Sequence, residues 1–267
     1  MNWWNHIPEH INPNIVEIGS FQIRYYGLMY LTAFATTYLL VLHRLKSERY
    51  EYSKIVVQRY FVWAILGILI GGKLGFVLFY DLMYFIAHPL KIFNPFGMSY
   101  HGGLLGVIFA SLFFCYKNRV NFWHFADLIT PAIPLGYTFG RIGNFLNGEL
   151  FGRVTTAAWG MYFPLDPTGQ LRHPSQLYEA FFEGIFLFII LWSVRRKRLF
   201  SGFHFCLYVI GYGIVRFCIE FVREPNPGLG SIWHFFTMGQ LLSITMILGG
   251  TLIMLIRKNQ QSAKIRQ

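Results

Sequence analysis

Between two apolar stretches, the run from Gly140 to Arg153 gathers Arg141, Asn144, Asn147, Glu149 and Arg153 among Gly143, Gly148 and Gly152. Arg141 and Asn144 are three apart, so they share one face of any helix that continues that far. A guanidinium offers a planar fork that matches phosphate oxygens, an amide adds an orienting donor, and glycine lets a backbone come close. That set suits a phosphate-bearing ligand. The alternative is an arginine that snorkels to a membrane surface and holds a loop by its carbonyls.

A second polar stripe runs through Tyr212, Arg216 and Glu220 at successive i+4 steps, followed by Arg223 and Glu224. On an otherwise apolar helix such a stripe must face protein or water. Either Arg216 and Glu220 lock two helices together, or Arg216 and Arg141 converge on one anion. His101 stands beside Gly102, Gly103 and Gly106. Its imidazole suits proton transfer near neutrality and equally suits a structural hydrogen bond. Gly102 and Gly106 are four apart, a spacing that lets helices approach closely. In His173-Pro174-Ser175-Gln176, Ser175 is expected to cap the following helix, with Glu179 and Glu183 near its positive end. Arg24, Tyr25 and Tyr26 fit an interfacial aromatic belt, and Tyr26 gains chemical meaning only beside a phosphate site.

The elements that carry these residues are expected to lie in a membrane. With 54% hydrophobic, 19% aromatic and 13% charged residues, the 267-residue chain has too little polar surface for an ordinary soluble domain. An all-α polytopic membrane protein follows, read as one integral domain over 1–267. A helix needs about 20 apolar residues to cross the hydrocarbon core. Seven segments qualify: Tyr26-His43, Tyr60-Phe79, His101-Tyr116, Phe122-Gly140, Gln176-Val194, Phe203-Phe221 and Met238-Ile256. The third and fourth are short or polar at one end, which leaves re-entrant or partly buried segments open.

Net charge +11 does not point to nucleic acid, because the basic residues form short clusters between apolar runs instead of one face. Alternate connections hold five, two, four and four Lys/Arg, which is 15 of the 23 positive charges on one side. That side is expected to be the cytoplasm, with the N-terminus outside. Turn signals at Trp159-Gly160, Asp166-Pro167-Thr168-Gly169 and His173-Pro174 suggest a compact outer head over 145–175. Interfacial arms are expected at 1–25, which carries Trp3 and Trp4, and at 80–100. No removable signal peptide is evident at the start. Cys115, Cys206 and Cys218 show neither paired nor metal-ligand spacing, so neither a disulfide framework nor zinc is expected.

Taken in order, several motifs resemble the prolipoprotein diacylglyceryl transferase family of bacterial inner membranes. They are Tyr26-Gly27-Leu28-Met29-Tyr30, His101-Gly102-Gly103-Leu104-Leu105-Gly106, Gly140-Arg141 through Gly152, His173 through Glu179, Gly211-Tyr212-Gly213 with Arg216, Glu220 and Arg223, and Met238-Gly239-Gln240. The stretch around Arg141 is the specific element, and Thr237 stands where a serine is expected. The resemblance implies transfer of diacylglyceryl from phosphatidylglycerol to the lipobox cysteine of a preprolipoprotein signal peptide, with glycerol phosphate released and no metal or organic cofactor. It maps Tyr26, His101, Arg141, Asn144, Gly152 and Arg216 onto residues the family needs. Under it, His101 takes the thiol proton, Arg141 and Arg216 stabilise the leaving phosphate, and Asn144 and Tyr26 orient the headgroup. Tyr212 and Arg223 line the substrate site, Glu149 and Glu220 hold the arginines, and Gly152 admits close backbone approach. Two other classes compete. A transporter would use the polar residues as a solute path, although no inverted repeat is seen. A structural membrane partner would use them for assembly alone.

Overall fold

Long apolar runs with few internal charges make helices wherever proline and glycine allow it, and helices dominate the computed structural model. It describes residues 3–19, 21–80, 82–94, 97–224, 231–232 and 236–265. Among these, four helical stretches are long and apolar enough to cross a membrane: Tyr25–Ser47, Lys54–Tyr80, Ser175–Ser193 and Met238–Ala263. The chain divides into two compact units, Met1–Val41 with Ala126–Gln267, and Leu42–Phe125.

The first unit opens with a 3₁₀ turn, Trp3–His10, and an antiparallel hairpin of β1 (Asn14–Ile18) and β2 (Phe21–Arg24) that leads into α1 (Tyr25–Ser47). In the second unit α2 (Lys54–Tyr80) is followed by the short α3 (Leu82–Ala87) and by α4 (Tyr100–Lys117). Gly102 and Gly106 do what their spacing suggested. A Cβ added at Gly71 of α2 would lie 2.6 Å from the Gly106 Cα, and one at Gly75 would lie 2.7 Å from the Gly102 Cα. The two backbones therefore touch, which only small residues permit. Ser99 caps α4 by accepting from the Gly102 N–H at 3.2 Å.

The fourth expected span is not one α-helix. α5 (Phe122–Ile129) gives way to a 3₁₀ turn, Thr130–Ala132, before α6 (Ile133–Leu146). The cause is local, because Pro131 and Pro134 lack the N–H that a continuous helix needs and fit only its first turn. Thr130, Pro131, Ala132 and Pro134 are buried, so the broken backbone is enclosed by protein. α6 then runs past Gly140 to Leu146, which keeps Arg141 and Asn144 on one helical face. It closes on α1 at Gly143, where an added Cβ would meet Met29 at 3.1 Å and the Tyr26 Cα at 3.6 Å.

The fifth span is a rod of three parts: α7 (Ser175–Glu179), a π-helical stretch over Ala180–Phe186, and α8 (Leu187–Ser193). α9 (Phe203–Ile219) follows, and its first N–H groups are bound by Asp127, whose carboxylate accepts from Gly202, His204 and Phe205 at 2.7 to 3.1 Å. Two short strands, β3 (Ser231–Ile232) and β4 (Phe236–Thr237), precede α10 (Met238–Ile265). Thr237 and Gln240 form a reciprocal capping box at its start, at 3.0 and 3.2 Å.

Between α6 and α7 the chain folds on itself through paired backbone at Val154 and Arg172 and at Met161 and Arg172. Phe145, Met161 and Phe163 form its apolar centre, against which Ile7, Ile11, Phe151 and Leu177 pack. The start of the chain is fastened to this segment, since Asn5 Nδ2 donates to the Gly160 carbonyl at 2.6 Å and His6 stacks on Tyr162. Arg172 grips Asp166 with two parallel bonds of 2.8 and 3.0 Å. Burial alone would raise the Asp166 carboxyl, but the bonds from Arg172 and Thr168 outweigh it and bring it down to about 2. A depressed carboxyl lends stability that is complete above its ordinary value near 3.8 and is lost as pH falls through about 2. The melting temperature is therefore expected to drop between pH 4 and pH 2. Asp166→Asn should lower it at neutral pH and flatten that acid limb, and an unchanged limb would reject the assignment.

Candidate functional site

Three helices of the first unit each turn a polar stripe inward. On α6 the stripe is Tyr137, Arg141 and Asn144, with steps of four and three residues. On the α7–α8 rod it is Glu179 and Glu183. On α9 it is Tyr212, Arg216 and Glu220, with Arg223 just beyond. The stripes meet at one buried carboxylate. Glu179 Oε2 lies 2.7 Å from Arg141 Nε, while its Oε1 lies 2.7 Å from Arg223 NH1 and 3.5 Å from Arg216 NH1. Arg141 and Arg216, from separate helices, are thus brought to the same anion.

Each guanidinium is held further. Arg141 Nε also donates to the Tyr137 hydroxyl at 2.6 Å, and its Cζ stands 4.7 Å from the centre of that ring, a cation–π contact. Its NH1 reaches Asn144 Oδ1 at 3.3 Å. Arg216 donates through NH2 to Glu220 at 2.7 Å. The Tyr137 hydroxyl hydrogen-bonds to Glu183 Oε2. Glu220 is steadied in turn by the Thr237 hydroxyl at 3.1 Å, which gives the Thr237-Met238-Gly239-Gln240 motif its structural purpose. At formal charge, Arg141, Arg216 and Arg223 balance Glu179, Glu183 and Glu220. Burying so many ions is costly unless each is paired, and here they are paired across helices. The arginines are not sealed off, since Arg141 keeps 13% and Arg216 15% of its side-chain surface accessible.

Two bonds in this cluster are left unspent. Arg216 NH1 and Glu183 Oε1 are buried, lie 3.5 Å apart, and neither makes a hydrogen bond among the described residues. A guanidinium nitrogen and a carboxylate oxygen are therefore close neighbours that do not hydrogen-bond each other.

Several expected roles change. Glu149 does not pair with Arg141 directly: its Oε1 accepts from Asn144 Nδ2 at 2.8 Å, so it orients the amide that touches the arginine. Ser175 does not cap its helix. Its hydroxyl donates to the Leu150 carbonyl at 3.1 Å and the neighbouring Gln176 amide donates to the Glu149 carbonyl at 2.7 Å, which fixes the turn after α6. Leu150 needs that support because its φ of 60° is a left-handed conformation that costs on the order of 1 kcal/mol outside glycine. Gly152 does admit a close backbone approach, but by this chain. It pairs with Arg223, and an added Cβ would meet the Val222 carbonyl and the His173 Cβ, the latter at 2.8 Å. That contact fixes Arg223 just beyond the end of α9.

Tyr26 stands on the first turn of α1, donates to the Tyr30 hydroxyl at 3.1 Å, and lies within electrostatic reach of Glu149 and Arg141. Tyr212 stacks edge-on to Tyr137 with centroids 6.0 Å apart. His101 belongs to the second unit, where it is exposed on the first turn of α4 with its ring edge-on to Tyr100. Sequence reasoning missed Tyr137 altogether and read Glu179 and Glu183 only as partners of a helix dipole. The signal was present. Tyr137 is one turn before Arg141, and two carboxylates four apart in an apolar rod form the same kind of stripe as Arg216 and Glu220.

The sequence model of the prolipoprotein diacylglyceryl transferase family matches residues 13–256. A phosphatidylglycerol–prolipoprotein diacylglyceryl transferase from Chlorobaculum tepidum is 49% identical over 271 residues, spanning 97% of this chain and 94% of its own. One from Campylobacter hominis is 41% identical, spanning 100% and 99%. One from Wolinella succinogenes is 42% identical, spanning 91% and 92%.

Proposed function

Because the chain belongs to the prolipoprotein diacylglyceryl transferase family, we propose that it moves a diacylglyceryl group from phosphatidylglycerol to the cysteine thiol of a preprolipoprotein lipobox. The observation that carries this reading is the convergence of Arg141, Arg216 and Arg223 on one carboxylate. Three guanidinium forks gathered around an anion are suited to a phosphate diester.

In the reaction a C–S bond forms and a C–O bond breaks, and the electron pair leaves on the phosphate oxygen of glycerol phosphate. Charge on that oxygen grows along the path, so cationic forks fixed beforehand lower the barrier. Arg141 and Arg216 take that role. Asn144, oriented by Glu149, and Tyr26 steer the headgroup, and Tyr212 walls the cluster beside Tyr137. Glu220 holds Arg216, Arg223 lines the substrate site where it shares Glu179 with the other two arginines, and Gly152 admits the close backbone approach that sets Arg223 there. His101 is proposed to accept the thiol proton. No cofactor or metal takes part in this scheme.

The apolar helices make this a membrane protein, and the family is bacterial. We place it in the inner membrane with seven crossings, in which α4, the broken α5–α6 segment and α9 are the shorter ones. The Lys/Arg-rich connections then face the cytoplasm, and the 145–175 head and the arms at 1–25 and 80–100 lie on the outer side. The signal peptide docks there.

The test uses purified protein, labelled phosphatidylglycerol and a lipobox peptide. Thioether-linked diacylglyceryl peptide and free glycerol phosphate are expected, and His101→Gln should lower kcat by about 100-fold or more. Solute flux in liposomes without peptide lipidation would instead mark a transporter, and neither activity would mark a structural partner. Full turnover in His101→Gln would reject the base assignment alone.

A further inference from the structure

The two unspent bonds at the centre of the cluster select a particular chemical group. Arg216 NH1 has an N–H to give and Glu183 Oε1 has a lone pair to receive into, and they stand 3.5 Å apart on different helices. Neither is free to turn away. Arg216 is anchored through NH2 to Glu220, and Glu183 through Oε2 to the Tyr137 hydroxyl. Glu183 is 1% exposed, so the missing bonds are not supplied by bulk water. A buried polar group left without a partner is costly, and a ligand that completes both bonds recovers that cost.

The pair discriminates among headgroups. An ammonium could donate to Glu183 but could not accept from Arg216, and it would be repelled by the guanidinium. A carboxylate or a second phosphate could accept from Arg216 but would face the Glu183 charge. A hydroxyl does both, accepting from NH1 and donating to Oε1 at ordinary distances of about 2.8 Å. Phosphatidylglycerol carries two hydroxyls on its headgroup, on the second and third carbons from the phosphate ester oxygen.

We propose that Glu183 and the NH1 of Arg216 bind a hydroxyl of the lipid headgroup, and that Glu183 is thereby the residue that selects a polyol phosphodiester over other anionic lipids. This rests on the transferase reading above and adds the basis of its donor specificity. Tyr137 is a positioning residue here, since it fixes which oxygen of Glu183 remains free. The same two bonds could be completed by an isolated water molecule, and the experiment separates the two sources.

Purified full-length protein is given a lipobox peptide and one of two donors, phosphatidylglycerol or phosphatidylpropanol. The second keeps the charge and size of the first but lacks both headgroup hydroxyls. A site built to bond a hydroxyl rejects the analogue without it strongly, so kcat/KM is expected to fall at least about 100-fold on phosphatidylpropanol. In Glu183→Gln the amide oxygen is retained by Tyr137 and the NH₂ takes the place of Oε1, where it cannot accept from a hydroxyl. Whatever happens to the absolute rate, the ratio between donors should shrink below about 10. Equal use of the two donors by the parent protein means that water fills the position and overturns the proposal, as does an unchanged ratio in Glu183→Gln. Should that variant fail to fold, the parent ratio decides. Failure of the parent to lipidate the peptide from either donor sinks the transferase reading itself, a result distinct from transfer without discrimination.

Discussion

Arg141→Ala and Arg216→Ala are each expected to lower kcat/KM for lipid transfer by about 1,000-fold, the size of effect seen when one preorganised donor to a developing oxyanion is removed. The geometry says why alanine is so costly and why lysine is no substitute. Arg141 donates its Nε–H to Tyr137, forms an ion pair with Glu179 and reaches Asn144 through NH1, so its planar fork is fixed before any lipid arrives. A lysine ammonium is a point charge on a flexible stem and cannot span those partners at once. Arg141→Lys should therefore recover less than about a tenth of the lost rate. Melting curves recorded beside the rates guard against misfolding. A folded Arg141→Ala or Arg216→Ala protein within tenfold of the parent would remove the phosphate-stabilising role.

Glu179→Ala is expected to cost about 3 to 5 kcal/mol of stability, because it strands two buried cations, Arg141 and Arg223, and weakens the hold on a third, Arg216. Arg141, Arg216 and Arg223 all rest on that carboxylate, and only Arg216 has a second carboxylate, Glu220, at hydrogen-bond distance among the described residues. At about 2 to 4 °C per kcal/mol for a chain of this size, the melting temperature should fall by roughly 10 °C. Glu179→Gln keeps the shape and one acceptor oxygen but not the charge, and should lie between. Thermal unfolding in a single detergent reads the series. A shift of less than about 2 °C for Glu179→Ala would mean that the arginines are held chiefly by other groups.

The sequence settled whatever depends on spacing along one helix. Apolar runs of about 20 residues with few charges are long enough to cross a membrane, and four such helices stand among the described residues. Arg141 with Asn144, and Arg216 with Glu220, share faces because an α-helix repeats every 3.6 residues, and both pairs touch in the structure. Gly102 and Gly106 foretold a close helix partner for the same reason. What spacing cannot tell is which face of one helix meets which face of another. Glu179 looked like an ordinary acid in a first turn until three helices packed and made it the common partner of three arginines. Ser175 looked like a cap until the turn at Leu150 arrived beside it. The prolines that split the fourth span were visible, but whether they end a helix or are absorbed depends on the protein that encloses the freed backbone. Pairing between distant segments is a property of packing, and packing is decided only when the whole chain closes.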